Sequence, residues 1–172
     1  MPVWLLLASF VLTPLAGCAT YRLGACSLYR PDIQTVHVPV IKSASFRRNL
    51  GEQLTEAVVK EIELKSPYKV VGAEGADSVL EVRIDSDTKR VVAENAYDEG
   101  RELETRFQIH FTWRDRQGNL ITRSALPLED TVVGITASSN FLPEFGQSTV
   151  TSQQKAIQRL ATQIVGQMEA GW

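Results

Sequence analysis

The chain has 172 residues, of which 44% are hydrophobic and 22% are charged, and its formal net charge is -2. This length and hydrophobic content predict a single domain with a substantial core. The near-neutral charge excludes a global basic field of the kind that holds nucleic acid, so an anionic ligand would need a local patch.

The N-terminal residues have the pattern of a bacterial lipoprotein signal. An apolar stretch that begins at Val3 leads into Leu15-Ala16-Gly17-Cys18, where small residues precede a cysteine whose thiol can accept a diacylglyceryl group. The stretch is shorter than the roughly 20 residues of a membrane span, and Pro14 interrupts it. The other alternative is an ordinary secretory signal with a chance cysteine, and no Lys or Arg lies in residues 1–12.

The lipoprotein interpretation sets the predicted boundaries: a signal peptide over 1–17, a lipidated tether over 18–32 and one domain over 33–172. Lipidation of Cys18 leaves Cys26 as an unpaired, part-buried thiol, whereas without lipidation a Cys18–Cys26 disulfide becomes possible. Neither cysteine has the spacing of a zinc or thioredoxin-type site. We therefore expect no metal and no cofactor beyond the covalent lipid on Cys18.

The first predicted elements are a strand and a helix. Alternation over Thr35 to Ile41 predicts a strand whose core residues are Val36, Val38 and Val40. Apolar residues at helical spacing then predict an amphipathic helix over 47–65 that Pro67 stops, with Ser45 as its N-cap.

Several strands follow this helix. Short alternating patterns predict strands over 68–71 and from Leu80 to about Val92, separated by a turn over 72–77. The clearest strand alternates Leu103, Thr105, Phe107, Ile109, Phe111 and Trp113 with polar residues on the other face. A hairpin turn over 115–119 then leads into a strand over 120–128.

The C-terminal part is predicted to contain a loop over 134–147 and a second amphipathic helix. Its apolar stripe includes Ile157, Leu160 and Ile164, and Thr151 with Gln154 fits a capping box. Two one-sided helices and half-buried strands predict an α+β, two-layer sandwich. In it, both helices pack on one face of a mixed four- to five-stranded sheet, and the first strand–helix–strand unit is parallel.

The motifs of common enzyme classes are absent from the sequence. His37 and His110 lie on separate strands without a partner at motif spacing, and Asp85 with Asp87 reads as a solvated pair on an exposed strand. No P-loop or nucleophile-elbow motif occurs. The sequence predicts a binding protein and not an enzyme.

Two features are candidates for binding. Arg106, His110 and Arg114 stand in a row on the polar face of the long strand, which stays open to a partner or an anionic ligand if the helices cover the other face. The alternative is a solvated face whose arginines offset neighbouring carboxylates. In the last loop, Phe141 and Phe145 form either a contact surface or a lid over the sheet edge.

The order and spacing of several segments resemble the lipopolysaccharide-assembly lipoprotein family, LptE. They are Cys18, Tyr21-Arg22-Leu23, Val38-Pro39, Leu54-Thr55-Glu56-Ala57, Lys60-Glu61-Ile62, Ala76-Asp77, the loop 141–146 and the ending 168–172. The resemblance covers nearly the whole mature chain and implies two helices on a mixed sheet. It also implies a lipid-anchored protein on the periplasmic face of the outer membrane. Ala19, which is not Asp, permits that delivery in enteric-type sorting.

The resemblance further implies a non-enzymatic plug and assembly partner of the β-barrel translocon LptD that contacts lipopolysaccharide. Arg106 and Arg114 are candidates for that contact only because they lie on the polar face of the long strand. A different class of function, an envelope adaptor lipoprotein that docks on and activates a cell-wall synthase, is the alternative, and a periplasmic hydrolase has little support.

Overall fold

The computed structural model describes residues 28–94, 100–121, 133–143, 146 and 148–169. The described strands are β1 (Thr35–His37), β2 (Lys42–Ser43), β3 (Lys69–Val70), β4 (Ser78–Glu94), β5 (Gly100–Asp115) and β6 (Val133–Phe141). The helices are α1 (Leu50–Lys65) and α2 (Thr149–Gln167), and a short 3-10 turn spans Ala73–Gly75. The signal, Cys18 and Cys26 lie outside the described residues.

The strands form one mixed sheet in the order β3-β1-β4-β5-β6, and β2 also pairs with β4. The pairs β1–β3, β1–β4 and β2–β4 are parallel, whereas β4–β5 and β5–β6 are antiparallel. The predicted α+β arrangement is therefore confirmed, including the parallel first strand–helix–strand unit. The sheet has six strands, more than the four or five that were predicted.

The core lies between the two helices and one face of the sheet. The predicted inward residues of β5 from Thr105 to Trp113 are buried, and so is the apolar stripe of α2. The core also contains Tyr29, whose ring packs edge-on against Tyr68 with 5.5 Å between centroids. Core contacts thus begin upstream of Ile33, the residue at which the sequence predicted the domain to start.

Four local predictions were wrong, and two of them concern strands. Val40 is 67% exposed because the strand breaks between β1 and β2 at Pro39, so the neighbouring Ile41 enters the core instead. Residues 134–141, predicted as part of a loop, belong to β6. Its Gly, Ser and Asn residues have low strand propensity, but antiparallel pairing with β5 determines the structure.

The other two errors concern helix starts. Helix α1 begins after Asn49, whose side chain makes no capping bond, while the Ser45 hydroxyl binds Asp87 and the amide of Arg47. In α2 the N-cap is Ser148, which accepts a hydrogen bond from the amide of Thr151. Thr151 therefore lies inside the helix, one turn after the cap.

A glycine fixes how closely α1 approaches the sheet. A Cβ atom on Gly51 would lie 2.0 Å from the carbonyl oxygen of Ile41. Thr55 closes the same junction, because its hydroxyl accepts from the amide of Ile41 at 2.9 Å and donates to the carbonyl of Gly51 at 2.7 Å. The start of α1 thus packs against the backbone of Ile41. Backbone atoms cannot move aside as a flexible side chain would.

We predict that Gly51→Ala lowers the free energy of unfolding by about 1–3 kcal/mol, because the new methyl group overpacks the contact with Ile41. The matched control is Gly166→Ala in α2, where nothing lies within 4 Å of the added Cβ. That change should raise stability by about 0.5–1 kcal/mol through helix propensity. Urea unfolding followed by circular dichroism measures both, and effects of the same sign would contradict the prediction.

A buried carboxylate joins the two helices. Glu61 of α1 is buried and accepts hydrogen bonds from Thr162 at 2.7 Å and Gln158 at 3.1 Å, both in α2, and Lys65 lies 2.6 Å away. Burial by itself raises the pKa of Glu61, but the hydrogen bonds and the charge of Lys65 outweigh it and hold the pKa below its ordinary value. The ionised form therefore stabilises the helix pair.

We predict that Glu61→Gln reduces stability at neutral pH and makes it less dependent on pH in the acid range. A carboxylate with a lowered folded pKa contributes stability above its unfolded pKa of about 4.3, and this contribution is lost as the pH falls through the folded pKa. The difference between wild type and Glu61→Gln in urea unfolding should therefore shrink below about pH 4. Glu56→Gln, which removes an exposed pair with Lys60, is the control and should change little.

Candidate functional site

The helices cover one face of the sheet, and the opposite face of β4, β5 and β6 is the candidate site. We call this surface the outer face. It carries arginines and carboxylates in equal number: Arg83, Arg90, Arg106, Arg114, Glu81, Asp85, Glu102 and Glu104. Because these charges balance, recognition of an anion depends on which arginines are free of a carboxylate partner.

Arg106 is held by an acidic partner. Glu104, two residues earlier on β5, is only 6% exposed and lies between the guanidinium groups of Arg90 and Arg106. A hydrogen bond from Ser138 is the main cause that lowers the pKa of Glu104; burial opposes it, and the two arginines add to the lowering. Glu104 is thus a buried carboxylate on the face that the sequence predicted to be wet.

His110 lies near the middle of the outer face. Its Nδ1 atom pairs with Asp85 of β4, and a Cβ atom on the neighbouring Gly134 would be 3.4 Å from its Nε2 atom. The ring also lines a groove of about 420 Å³ at the sheet edge, where Val40 is exposed and Lys42 and Arg83 supply positive charge. This groove exists because β1 and β2 are interrupted beside β4.

Arg114 ends the row beside the β5 turn. Its guanidinium donates to the carbonyl oxygen of Gly118 at 3.3 Å, and it makes no ion pair within the described residues. Arg106 and Arg114 are eight positions apart on one strand, or about 27 Å at 3.4 Å per residue. The two arginines therefore lie on one strand, as predicted, but they are too far apart to bind the same phosphate group.

The structure describes one member of the aromatic pair from the predicted loop. Phe141 is buried in β6, and the ammonium group of Lys89 lies 5.2 Å from the centre of its ring. Phe145 lies outside the described residues. Of the two interpretations offered by the sequence, the described position of Phe141 matches a residue folded against the sheet.

Sequence reasoning misjudged Asp87. Its side chain is only 3% exposed and forms an ion pair with Arg47 at 2.5 Å, so it is not part of a solvated pair with Asp85. The cause is a β-bulge between Ile84 and Ser86, which turns Asp87 toward the helix side of the sheet. The alternation gave no signal of this bulge, because the apolar residues of β4 after Ile84 are the consecutive Val91, Val92 and Ala93.

The described residues contain no group of three or more His, Cys, Asp or Glu side chains that could hold a metal ion. Among these same residues, no helix is both long and apolar enough to cross a membrane.

The family profile described as LptE, lipopolysaccharide-assembly, matches residues 33–170. The chain belongs to this family. It is thus a lipopolysaccharide-assembly lipoprotein of a non-enzymatic, outer-membrane-associated family, as the sequence resemblance predicted. No curated protein sequence matches the chain significantly.

Solved structures share the fold at low sequence identity. A Xanthomonas campestris protein of the family DUF330 has a TM-score of 0.54 at 10% identity, covering 81% of this chain and 85% of its own. The PelC dodecamer of Paraburkholderia phytofirmans has a TM-score of 0.53 at 11% identity, covering 83% and 93%. A minor lipoprotein of Acinetobacter baumannii has 20% identity and a TM-score of 0.45, covering 81% and 98%. The first two structures therefore share the fold of this chain, and their similarity shows nothing beyond the fold.

Proposed function

We propose that this lipoprotein is the plug and assembly partner of the lipopolysaccharide translocon β-barrel LptD. In this proposal, a lipid on Cys18 holds the domain on the periplasmic face of the outer membrane, and the outer face contacts lipopolysaccharide on its way to the surface. The observation that carries the proposal is a sheet that, within the described residues, the helices cover on one side, in a chain that matches the LptE family over residues 33–170.

The uncovered side has the chemistry that such a role requires. A protein that is inserted into a barrel needs a polar surface that pairs with many groups without a large net charge of its own, because unpaired buried charge is costly. The outer face meets this requirement with paired arginines and carboxylates. Arg114, at the turn end, is free of a carboxylate partner in the described structure and is available to an anionic ligand.

Photo-crosslinking in cells tests the partner. We predict that a photoreactive residue in place of Gln108, which is exposed on the outer face, captures a large outer-membrane β-barrel protein. Gln163, exposed on α2 and facing away from the sheet, is the matched control and should give far less of this adduct. Recovery of a penicillin-binding protein in place of the barrel would instead support a cell-wall synthase adaptor and refute the proposal.

Lipopolysaccharide binding tests the basic residues. We predict that Arg106→Gln combined with Arg114→Gln weakens binding about threefold to tenfold, since each exposed charge contact is worth up to about 1 kcal/mol. Glutamine is preferred to glutamate because an acid at position 106 would stand beside the buried Glu104 and disturb the hairpin.

The control is Lys60→Gln combined with Lys155→Gln, which removes the same charge from the exposed surface of the helices. Binding is measured by titration of purified lipopolysaccharide at fixed ionic strength, because charge contacts are screened by salt. Equal losses from both double variants would show a general charge effect and would exclude the outer face as the binding surface.

A further inference from the structure

The most exposed large hydrophobic side chain of the described structure belongs to Phe46. Phe46 has a relative exposure of 106%, compared with 78% for Leu64 and 72% for Val150. It stands in the loop that joins β2 to α1, which we call the Phe46 loop, residues 44–49. An aromatic ring in full contact with water is unusual, because such side chains normally supply the largest buried apolar areas.

The Phe46 loop is held by contacts with Asp87 of β4. The residues on both sides of Phe46 bind one buried carboxylate: Ser45 donates to Asp87 at 3.1 Å, and Arg47 pairs with Asp87 at 2.5 Å. The Ser45 hydroxyl also accepts a hydrogen bond from the Arg47 amide at 3.1 Å. The backbone on both sides of Phe46 is therefore tied to β4, and less backbone entropy remains to be lost when the ring binds.

Neighbouring groups extend this feature into a surface. Arg47 also donates to Gln153 of α2 at 3.1 Å, which joins the loop to the first turns of that helix, where Val150 is exposed. Arg48 is exposed and makes no ion pair with any described residue.

This composition favours a protein over a membrane as the occupant. Binding to an anionic membrane surface relies on clusters of about four to eight basic residues or on a helix with a broad apolar face. The Phe46 loop offers one aromatic ring and one unpaired arginine. A rigid aromatic anchor beside an arginine is instead typical of the few residues that dominate the affinity of protein interfaces.

We infer that the Phe46 loop is a docking anchor for the β-barrel partner, with Phe46 entering an apolar pocket of the barrel protein and Arg48 facing an acidic rim. This inference rests on the proposed function for the identity of the partner. The Phe46 loop contains none of the binding residues predicted from the sequence, and Arg47 joins it to the first turns of α2. The loop borders the outer face, because Ser45 and Arg47 bind Asp87, two residues after the Asp85 that pairs with His110.

The experiment measures the affinity of the full-length lipoprotein for the purified β-barrel protein in detergent. Phe46→Ala should raise the Kd at least tenfold, and Arg48→Glu should raise it severalfold because it places an acid against the acidic rim. Leu64→Ala, which removes another exposed apolar side chain at the opposite end of α1, is the matched control and should leave the Kd within twofold. All three variants should melt at the wild-type temperature.

The outcomes separate this inference from the proposed function. If the wild-type protein does not bind the barrel, both are refuted. If it binds and Phe46→Ala binds equally well, the docking anchor is refuted while the proposed function stands. Binding to vesicles of phosphatidylethanolamine and phosphatidylglycerol is measured in parallel, and a loss confined to vesicles would assign the Phe46 loop to the membrane and overturn the inference.

Discussion

The antiparallel pairing of β4 with β5 is the interaction on which the rest of the fold depends. The two strands pair from Ser78–Asp115 to Glu94–Gly100, and every other described strand except β3 pairs directly with one of them. Their inward residues form the floor of the core, which must be covered because half-buried strands expose a continuous apolar face. Helices α1 and α2 provide that cover, and this leaves the outer face available for binding.

The β-bulge in β4 connects this hairpin to the loop that carries the docking proposal. One extra residue near Asp85 reverses the alternation of β4 up to the next register shift after Val91, so Asp87 points toward the helix layer. A buried carboxylate requires compensating charge and hydrogen bonds. Arg47 and Ser45 supply them, and the loop between β2 and α1 is thereby fixed with Phe46 directed outward.

Charge on the outer face is arranged in local pairs and not as one basic patch. The carboxylate of Glu104 neutralises Arg90 and Arg106, and Asp85 pairs with His110. In the proposed role, such a face can enter a polar lumen at low cost because few charges lose their partners. An anionic lipid would have to compete with these carboxylates, which favours the turn end, where Arg114 has only a backbone carbonyl as partner.

Much of this protein was determined by its sequence alone. Hydrophobic periodicity was sufficient for the two helices, the long strand, the covered and open faces and the α+β class, because burial of a continuous apolar stripe has one low-energy arrangement. The order of short segments was likewise sufficient for the family. The lipoprotein signal and its Cys18 stay predictions, since they lie outside the described residues.

Only the tertiary structure decided the details of the candidate surfaces. Pairing with β5 makes a strand of residues 134–141 against their low propensity, and the break at Pro39 exposes Val40. The bulge buries Asp87, and Glu104 is buried beside Arg90 of the neighbouring strand and Arg106 of its own strand. Each of these outcomes depends on contacts with residues that are distant in the chain. The local hydrophobic pattern does not show which distant residues become neighbours, because the pairing of strands in the folded sheet decides this.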